Sequence, residues 1–194
     1  MSEAGTQYSV ETGRSGLTYA DYCALPDDGL RYEIVDGLLF AEPSPRRAHQ
    51  NAVGNLFVIL HAHVRAQGLG EVYVAPFDVI LDPRTTVVPD LVFVVRDRLE
   101  IVAERGVEGA PDLLVEVLSP GTARRDRVRK LNAYARHGVR HYWLLDPEAK
   151  TVEAFELVDG AYRLAAAVGG DDELRPGVFP GLAISLPKIG RAHV

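Results

Sequence analysis

The sequence predicts a single α/β domain built on a mixed β-sheet with helices packed against it. Three observations support this fold class: an amphipathic helical pattern over residues 45–67, an almost uninterrupted apolar run at 113–118, and a strand-helix-strand order across 113–145. The apolar run is typical of a strand buried on both faces. A strand, a helix and a second strand in succession imply parallel strands joined by a crossover. The length of 194 residues and the hydrophobic content of 47% are those of one ordinary globular domain.

The two ends of the chain lack the apolar periodicity of the interior. We therefore expect a flexible N-terminal tail at residues 1–16, one domain over 17–187 and a short C-terminal tail at 188–194. The N-terminus does not resemble a secretory signal, and no apolar run reaches the roughly 18 residues needed to cross a membrane. Cys23 is the only cysteine, so the chain cannot form an internal disulfide. These features predict a cytoplasmic protein with no membrane contact.

The first half of the domain predicts a hairpin, a long helix and three strands. Asp36-Gly37 separates two apolar runs within residues 30–40, which is the pattern of a two-residue hairpin turn. The helix over 45–67 is followed by Gly68, a residue that favours the left-handed conformation of a helix C-terminus. The three strands are expected at 71–75, 77–81 and 87–95.

The second half predicts the strand-helix-strand unit followed by an antiparallel extension of the sheet. Helices are expected at 97–104 and 122–137. Strands are expected at 113–118, 141–145, 151–157 and 162–164. Ser119-Pro120-Gly121 ends the first of these strands, and Gly138 ends the second helix. Turn sequences at Asp146-Pro147 and Asp159-Gly160 separate the last strands, which we expect to pair antiparallel.

A carboxylate in the middle of the apolar run is the main candidate functional residue. Glu116 has apolar neighbours on both sides, and because burial of an unpaired carboxylate is costly, it requires a cationic partner. The distance back from Ser119 to Glu116 is about 10 Å of strand, and from Thr122 to Lys130 it is about 12 Å of helix. Lys130 and Glu116 are therefore expected at the same level. The alternatives are a purely structural ion pair at Glu116 and an exposed pair of Lys130 with Asp126.

A second carboxylate is supplied by Asp90, in Val88-Pro89-Asp90, on a neighbouring predicted strand. Two carboxylates beside an ammonium group suit a hard, oxygen-ligated cation such as Mg²⁺, which Mn²⁺ can replace and which binds substrate phosphate. The expected metal ligands are Asp90 and Glu116, with Lys130 assisting the attacking water, and the favoured chemistry is phosphodiester hydrolysis. The alternative for Asp90 is a structural role at a strand start, because Pro-Asp also occurs at Pro26-Asp27 and Pro111-Asp112.

These residues resemble a known active-site pattern. Pro-Asp, a spacer and then Glu-x-x at the end of a buried strand is the signature of the PD-(D/E)XK nuclease superfamily. YEIVDG, VVPDLVFV, DLLVEVLSP and the stretch from Asp126 to Tyr134 resemble more closely the Uma family of restriction-endonuclease-like proteins, over residues 17–187. The resemblance implies a restriction-endonuclease-like α/β sandwich with a central mixed sheet, metal-dependent DNA cleavage, and metal ligands at Asp90 and Glu116.

One position departs from the superfamily pattern. The superfamily usually carries a lysine two positions after the acidic residue, and this chain has Leu118 there. The related branch often places the lysine on the following helix, where Lys130 is the only lysine before Lys150. We therefore expect Lys130 to take the role of the missing strand lysine. Loss of activity is the alternative.

Four further features have a functional or a structural interpretation. Glu33 lies on the first hairpin strand, where the resemblance suggests that it completes or supports the metal shell, whereas hairpin carboxylates are commonly solvated. His49 opens the long helix as a candidate proton-transfer group or as an ordinary boundary histidine. The arginine-rich run at 124–129 either contacts a phosphate backbone or forms a solvated helix face. Asp112 is expected to be structural, because it lies about 13 Å along the strand from Glu116.

The expected partner is DNA. The net charge of −6 limits that contact to a local surface, because non-specific DNA affinity comes mainly from basic residues. A homodimer is compatible with cleavage of both strands of a duplex, although the sequence carries no interface signature. The main alternative to a nuclease is an inactive scaffold that keeps the fold to bind nucleic acid or a protein partner. A third interpretation is a phosphoesterase that acts on small nucleotides.

Overall fold

The structure is a computed structural model that describes residues 10–42 and 44–189. Its helical segments are α1 (Tyr19–Cys23), α2 (Arg47–Gln67), a 3₁₀ helix (Arg96–Ile101), α3 (Ala123–Arg125), a π-helical turn (Asp126–Lys130), α4 (Leu131–Arg136) and α5 (Leu186–Ile189). Its strands are β1 (Val10–Glu11), β2 (Arg31–Val35), β3 (Leu38–Glu42), β4 (Gly70–Val74), β5 (Asp78–Asp82), β6 (Thr85–Val87), β7 (Leu91–Val95), β8 (Val102–Ala103), β9 (Gly106–Glu108), β10 (Leu113–Val117), β11 (His141–Asp146), β12 (Thr151–Val158), β13 (Ala161–Gly169), β14 (Glu173–Leu174) and β15 (Ile184–Ser185).

Two large mixed sheets form the body of the part of the chain that the structure describes. The six-stranded sheet has the order β13-β12-β11-β10-β7-β4, and the seven-stranded sheet has the order β1-β3-β2-β6-β5-β9-β8. Strands β10 and β11 are parallel, and β12 and β13 extend the six-stranded sheet antiparallel. The predicted α/β class, the parallel pair and the antiparallel extension are therefore confirmed.

The six-stranded sheet lies between two apolar cores. On one face, Leu113 and Val115 of β10 share a core with Leu60 of α2. On the other face, Leu114 and Leu118 pack with residues of the seven-stranded sheet and of α4. Because successive side chains of a strand point to opposite faces, the side chain between Leu114 and Leu118 in this alternation, Glu116, faces the space between the two sheets.

The predicted hairpin and long helix form where local sequence favours them. The hairpin turn has positive φ angles at Asp36 (54°) and Gly37 (77°), the conformation that a tight two-residue turn requires. Gly68 follows α2 with φ at 62°, and its N–H donates to the carbonyl of Arg65 at 3.3 Å. The helix therefore ends where the glycine permits a left-handed residue.

The prediction of one strand over residues 87–95 is wrong. The segment divides between β6, which pairs with β2 and β5 in the seven-stranded sheet, and β7, which pairs with β4 and β10 in the six-stranded sheet. Pro89 lies at the break, where its lack of an N–H is compatible with the interruption of strand pairing. The chain passes from one sheet to the other immediately before Asp90, and this passage places Asp90 between them.

Residues from both expected tails contact the folded domain. Strand β1 pairs antiparallel with β3, and the N–H of Thr12 donates to the carbonyl of Leu39 at 3.0 Å, so residues 10–12 belong to the sheet rather than to the expected tail. At the other end, Ile189 is buried, and its carbonyl accepts a hydrogen bond from Asn55 Nδ2 at 2.8 Å. Residues 1–9 and 190–194 of the expected tails lie outside the described residues. Within 10–42 and 44–189, no helix is long and apolar enough to cross a membrane.

Candidate active site

The candidate site is a cavity of about 580 Å³ between the two sheets. Its wall includes the side chains that the sequence singled out: Glu33, His49, Asp90, Glu116 and Lys130. Both sheets, the start of α2 and the π-helical turn contribute to this wall. The fold thus brings together five residues that are spread over almost 100 positions of the chain.

Asp90 immediately precedes β7 and lies against β10, the strand that carries Glu116. Leu91, the first residue of β7, pairs with Val115 of β10, so Asp90 and Glu116 are the next residues along the chain beyond this last ladder pair. The N–H of Val117 donates to Asp90 Oδ2 at 2.8 Å, which fixes one carboxylate oxygen. Both carboxylates are nearly buried, with 6% of Asp90 and 5% of Glu116 exposed.

Lys130 reaches Glu116 from the helical side of the cavity. Its Nζ lies 2.8 Å from Glu116 Oε1, 2.8 Å from Glu33 Oε1 and 3.7 Å from Asp126 Oδ1. The equal level predicted for Lys130 and Glu116 is confirmed. The alternative pair with Asp126 also exists, but it is not on an exposed face, because both residues are buried.

The wide π-helical turn positions this lysine. Asp126 and Lys130 occupy its two ends and are both buried, and turns of this kind are frequent at functional sites. One further turn along, the Tyr134 hydroxyl donates to Glu116 Oε1 at 2.9 Å. Asp126, Lys130 and Tyr134 therefore form one stripe at four-residue spacing that faces Glu116.

Sequence reasoning missed Arg125, Glu42 and Tyr134 as neighbours of these residues, and it considered Asp126 only as an exposed partner of Lys130. Arg125 Nη2 lies 3.2 Å from Glu33 Oε2, and its other terminal nitrogen forms an ion pair with Glu42. The four-residue spacing of Asp126 and Tyr134 around the lysine was an available signal. Nothing local identified Glu42 or distinguished Arg125 from the arginines around it.

Two other arginines of the run at 124–129 form ion pairs with residues of neighbouring strands. Arg127 pairs with Glu153, and Arg129 lies 3.2 Å from Glu11, so these two hold the helix to neighbouring strands. At the cavity itself, Arg31 and Arg46 line the wall and form no ion pair with any residue that the structure describes. The basic groups available to a ligand are therefore on β2 and before α2.

The structure places His49 beside Asp90 and Asp112 beside Arg98. His49 Nε2 lies 3.2 Å from Asp90 Oδ2, so the histidine is placed to orient that carboxylate. Asp112 accepts from Arg98 Nη1 at 2.8 Å and from the N–H of Val95 at 3.0 Å. These contacts give Asp112 the structural role that was expected for it.

The inner wall of the cavity carries an excess of negative charge. Its two buried cations, Arg125 and Lys130, face four buried carboxylates, which leaves a formal charge of −2 among these buried groups if all are ionised: Glu33, Asp90, Glu116 and Asp126. Burial raises the pKa of Glu116 well above its ordinary value. Lys130 acts in the opposite direction but only partly offsets burial, and the nearby carboxylates raise the pKa further. Burial also acts to raise the pKa of Glu33, but Lys130 and Arg125 outweigh it and lower that pKa to about 2.

Lys130 remains an ammonium group in this surrounding. Burial acts to lower its pKa, but Glu116 and Glu33 outweigh burial and raise the pKa above the ordinary lysine value. Glu33 therefore keeps its charge through Lys130, whereas Glu116 is the carboxylate whose ionised form needs a further cation.

The donor groups of the cavity fit a magnesium ion. No group of three His, Cys, Asp or Glu side chains within the described ranges has the arrangement of a complete metal site. Mg²⁺ requires fewer, because it usually binds one or two carboxylates and completes its shell with water and substrate phosphate. Asp90 Oδ1 and Glu116 Oε2 accept no hydrogen bond from any described residue, and neither atom is fully buried. This pair of hard oxygen donors suits Mg²⁺ better than a soft metal.

Comparison with known proteins identifies the family of this chain. The model of a family described as "Uma2: Putative restriction endonuclease" matches residues 19–187. The chain belongs to this family. No curated protein matches it.

A crystal structure described as a "putative nuclease belonging to DUF820" from Anabaena variabilis ATCC 29413 is similar to this Uma2 family member. The TM-score is 0.74 at 19% sequence identity, over 89% of this chain and 97% of that chain. At this identity the similarity shows a common fold. The predicted restriction-endonuclease-like fold and the predicted family are therefore confirmed.

The structure also shows how this Uma2 family member accommodates its departure from the superfamily pattern. Leu118 is 4% exposed and packs in the core between the sheets, so a lysine there would be buried among apolar groups. The ammonium group beside Glu116 belongs instead to Lys130. The helix thus delivers a cation to the acidic strand residue that the strand itself does not provide.

Proposed function

We propose that the protein is a Mg²⁺-dependent endonuclease that hydrolyses DNA phosphodiester bonds, with Mn²⁺ as a substitute ion. The observation that carries this proposal is the pair of carboxylates Asp90 and Glu116, which line one cavity, each with one oxygen that accepts no hydrogen bond from a described residue. A buried ammonium group adjoins the pair. Membership in a family of restriction-endonuclease-like proteins supports the same reaction class.

The proposed roles follow from the contacts of each side chain. Asp90 and Glu116 would hold the metal, which when bound supplies Lewis-acid chemistry and lowers the pKa of a coordinated water. Lys130, fixed by two contacts of 2.8 Å, would orient the attacking water or offset charge that develops on the phosphate. Glu33 holds Lys130 in place, and His49 holds Asp90, so both act through the residues that they contact.

DNA is the proposed substrate because the cavity combines an acidic interior, which can bind a metal ion, with basic groups at its wall. Arg31 and Arg46 are available to phosphate oxygens, whereas the net charge of −6 opposes broad electrostatic binding. The contact is therefore local. A homodimer would supply the two sites that cleavage of both strands of a duplex requires.

Cleavage of supercoiled and single-stranded DNA with Mg²⁺ or Mn²⁺ tests the proposal. We expect wild type to cut, and Glu116→Gln and Lys130→Met each to lower the rate by about 100-fold or more, since each removes charge stabilisation at the reacting phosphate. Asp112→Asn is the matched control, because Asp112 is also a buried β-strand-flanking carboxylate but contacts Arg98 outside the cavity. It should retain the wild-type rate per folded molecule.

The rival function is an inactive scaffold. The engagement of Lys130 by both Glu33 and Glu116 favours it, because such an ion cluster also serves a purely structural purpose. If folded wild type cuts no DNA and gains no thermal stability from Mg²⁺, the nuclease proposal is wrong and the protein is an inactive scaffold. Turnover of small nucleotides without DNA cleavage would instead identify a phosphoesterase.

A further inference from the structure

A second cavity of about 400 Å³ adjoins the candidate active site. The two cavities share Leu30, Arg31 and Val88 in their walls. Val88 also contacts Glu33 of the first cavity, because its N–H donates to Glu33 Oε1 at 2.8 Å. A chain-like ligand bound at the first cavity therefore has a neighbouring compartment next to Arg31.

Three tyrosines line this second cavity. The rings of Tyr19 and Tyr22, on α1, are stacked with their centroids 6.0 Å apart and their planes 18° apart. Tyr32, on β2, is held by a hydrogen bond from its hydroxyl to Asp28 Oδ2 at 2.7 Å. Aromatic rings held in this way offer flat, partly exposed surfaces on which another flat ring can stack.

The wall of this cavity carries charged groups of both signs. Asp27 and Asp78 are both in the wall, and the Tyr22 hydroxyl donates to Asp78 Oδ1 at 3.0 Å, which leaves Asp78 Oδ2 without a hydrogen bond from any described residue. Arg31 stands at the junction with the first cavity, and Arg105 is an exposed part of the wall. Carboxylates repel phosphate but accept hydrogen bonds from amino groups, whereas the arginines attract phosphate.

We propose that this tyrosine cavity binds an unpaired nucleobase of the substrate strand, next to the phosphate that is cleaved. The tyrosine rings stack on the base, Asp78 accepts from its amino group, and Arg31 contacts the backbone phosphate between the two cavities. This inference rests on the proposed nuclease function and adds that the preferred substrate has a single-stranded or unpaired segment at the cleavage site. A base inside a regular duplex is stacked and paired and cannot enter this cavity without leaving its stack.

Equilibrium binding measurements distinguish the contribution of the bases to affinity from that of the backbone. The probe is a fluorescent single strand of about eight nucleotides, within the site size of known single-strand binders, compared with an abasic strand of equal length. A metal chelator keeps the strand intact, and fluorescence anisotropy gives Kd for wild type, Tyr19→Ala, Tyr32→Ala and Tyr73→Ala. Tyr73 is the matched control, because it stacks on Phe77 at 4.5 Å and does not line the cavity. Thermal unfolding confirms that each variant is folded.

We expect wild type to bind the base-containing strand about 5- to 100-fold more tightly than the abasic strand. Tyr19→Ala or Tyr32→Ala should reduce that ratio by at least about 5-fold, and Tyr73→Ala should leave it unchanged. Equal Kd values for the two strands in wild type, no measurable binding, or an unchanged ratio in both cavity variants would overturn the base site. If wild type cleaves DNA but binds both strands equally, the base site is wrong and the nuclease function stands. If wild type prefers the base-containing strand but does not cleave DNA in Mg²⁺, the nuclease function is wrong and the base site stands.

Discussion

Replacement of Lys130 by methionine tests whether the cluster of buried charges is held together by one ammonium group. Methionine keeps an unbranched, apolar stem of similar length and removes only the charge and its hydrogen bonds. The variant leaves Glu33 and Glu116 without the nitrogen that lies 2.8 Å from each, and Asp126 loses its neighbour at 3.7 Å. Lys130 is 1% exposed, so water cannot take its place without rearrangement.

The cost of this change is set by the carboxylates that remain buried. Removal of one partner from a buried ion pair costs about 3–5 kcal/mol, because the other charge stays desolvated. For a domain of this length, each kcal/mol corresponds to about 2–4 °C in Tm. The expected loss for Lys130→Met is therefore about 6–20 °C.

The loss should depend on pH in a direction that the pKa values determine. In wild type the pKa of Glu33 is lowered to about 2, so its ionised form contributes stability above the unfolded pKa of about 4.5, and this is lost as pH falls towards 2. In the variant the same carboxylate has lost its main cation and binds a proton more readily. The Tm difference between wild type and variant should therefore be larger at about pH 8 than at about pH 5.

Differential scanning calorimetry at both pH values measures these differences. Lys188→Met is the matched control, because Lys188 is exposed on α5 and should change Tm by no more than about 2 °C. A Lys130→Met variant that melts as close to wild type as this control does would refute the reasoning. The carboxylates would then be neutral or solvated in the absence of the lysine.

Three further outcomes are expected. Tyr134→Phe removes the donor at 2.9 Å from Glu116 and should cost about 1.5–3 kcal/mol in urea unfolding; a change below about 0.5 kcal/mol would contradict that hydrogen bond. Mg²⁺ at ten times its Kd should stabilise wild type by about 1.4 kcal/mol and Glu116→Gln by much less, and equal Tm shifts in both would argue against a metal at this residue. Leu60→Ala in the core under α2 should cost about 2–5 kcal/mol and leave the rate per folded molecule unchanged, whereas a selective loss of rate would connect α2 packing to the site.

The amino-acid sequence by itself determined the local elements and the central members of the candidate site. The hairpin followed from Asp36-Gly37, and the end of the long helix followed from Gly68, because each conformation depends on residues close together in the chain. Glu116 was identifiable because a carboxylate within an apolar strand demands a partner. The level of Lys130 could be estimated because helix and strand rises are fixed by backbone geometry.

The tertiary structure decided how the strands divide and which charges meet. Most of residues 87–95 favour β-structure, and their pairing partners place the first part in one sheet and the last part in the other. The contacts of Arg125 with Glu42 and of Lys130 with Glu33 join residues more than 80 positions apart, and the tyrosine cavity joins α1 with strands of the sheet beyond it. Backbone propensity acts within a few residues, whereas these contacts form only after the two sheets pack, so no local pattern contains them.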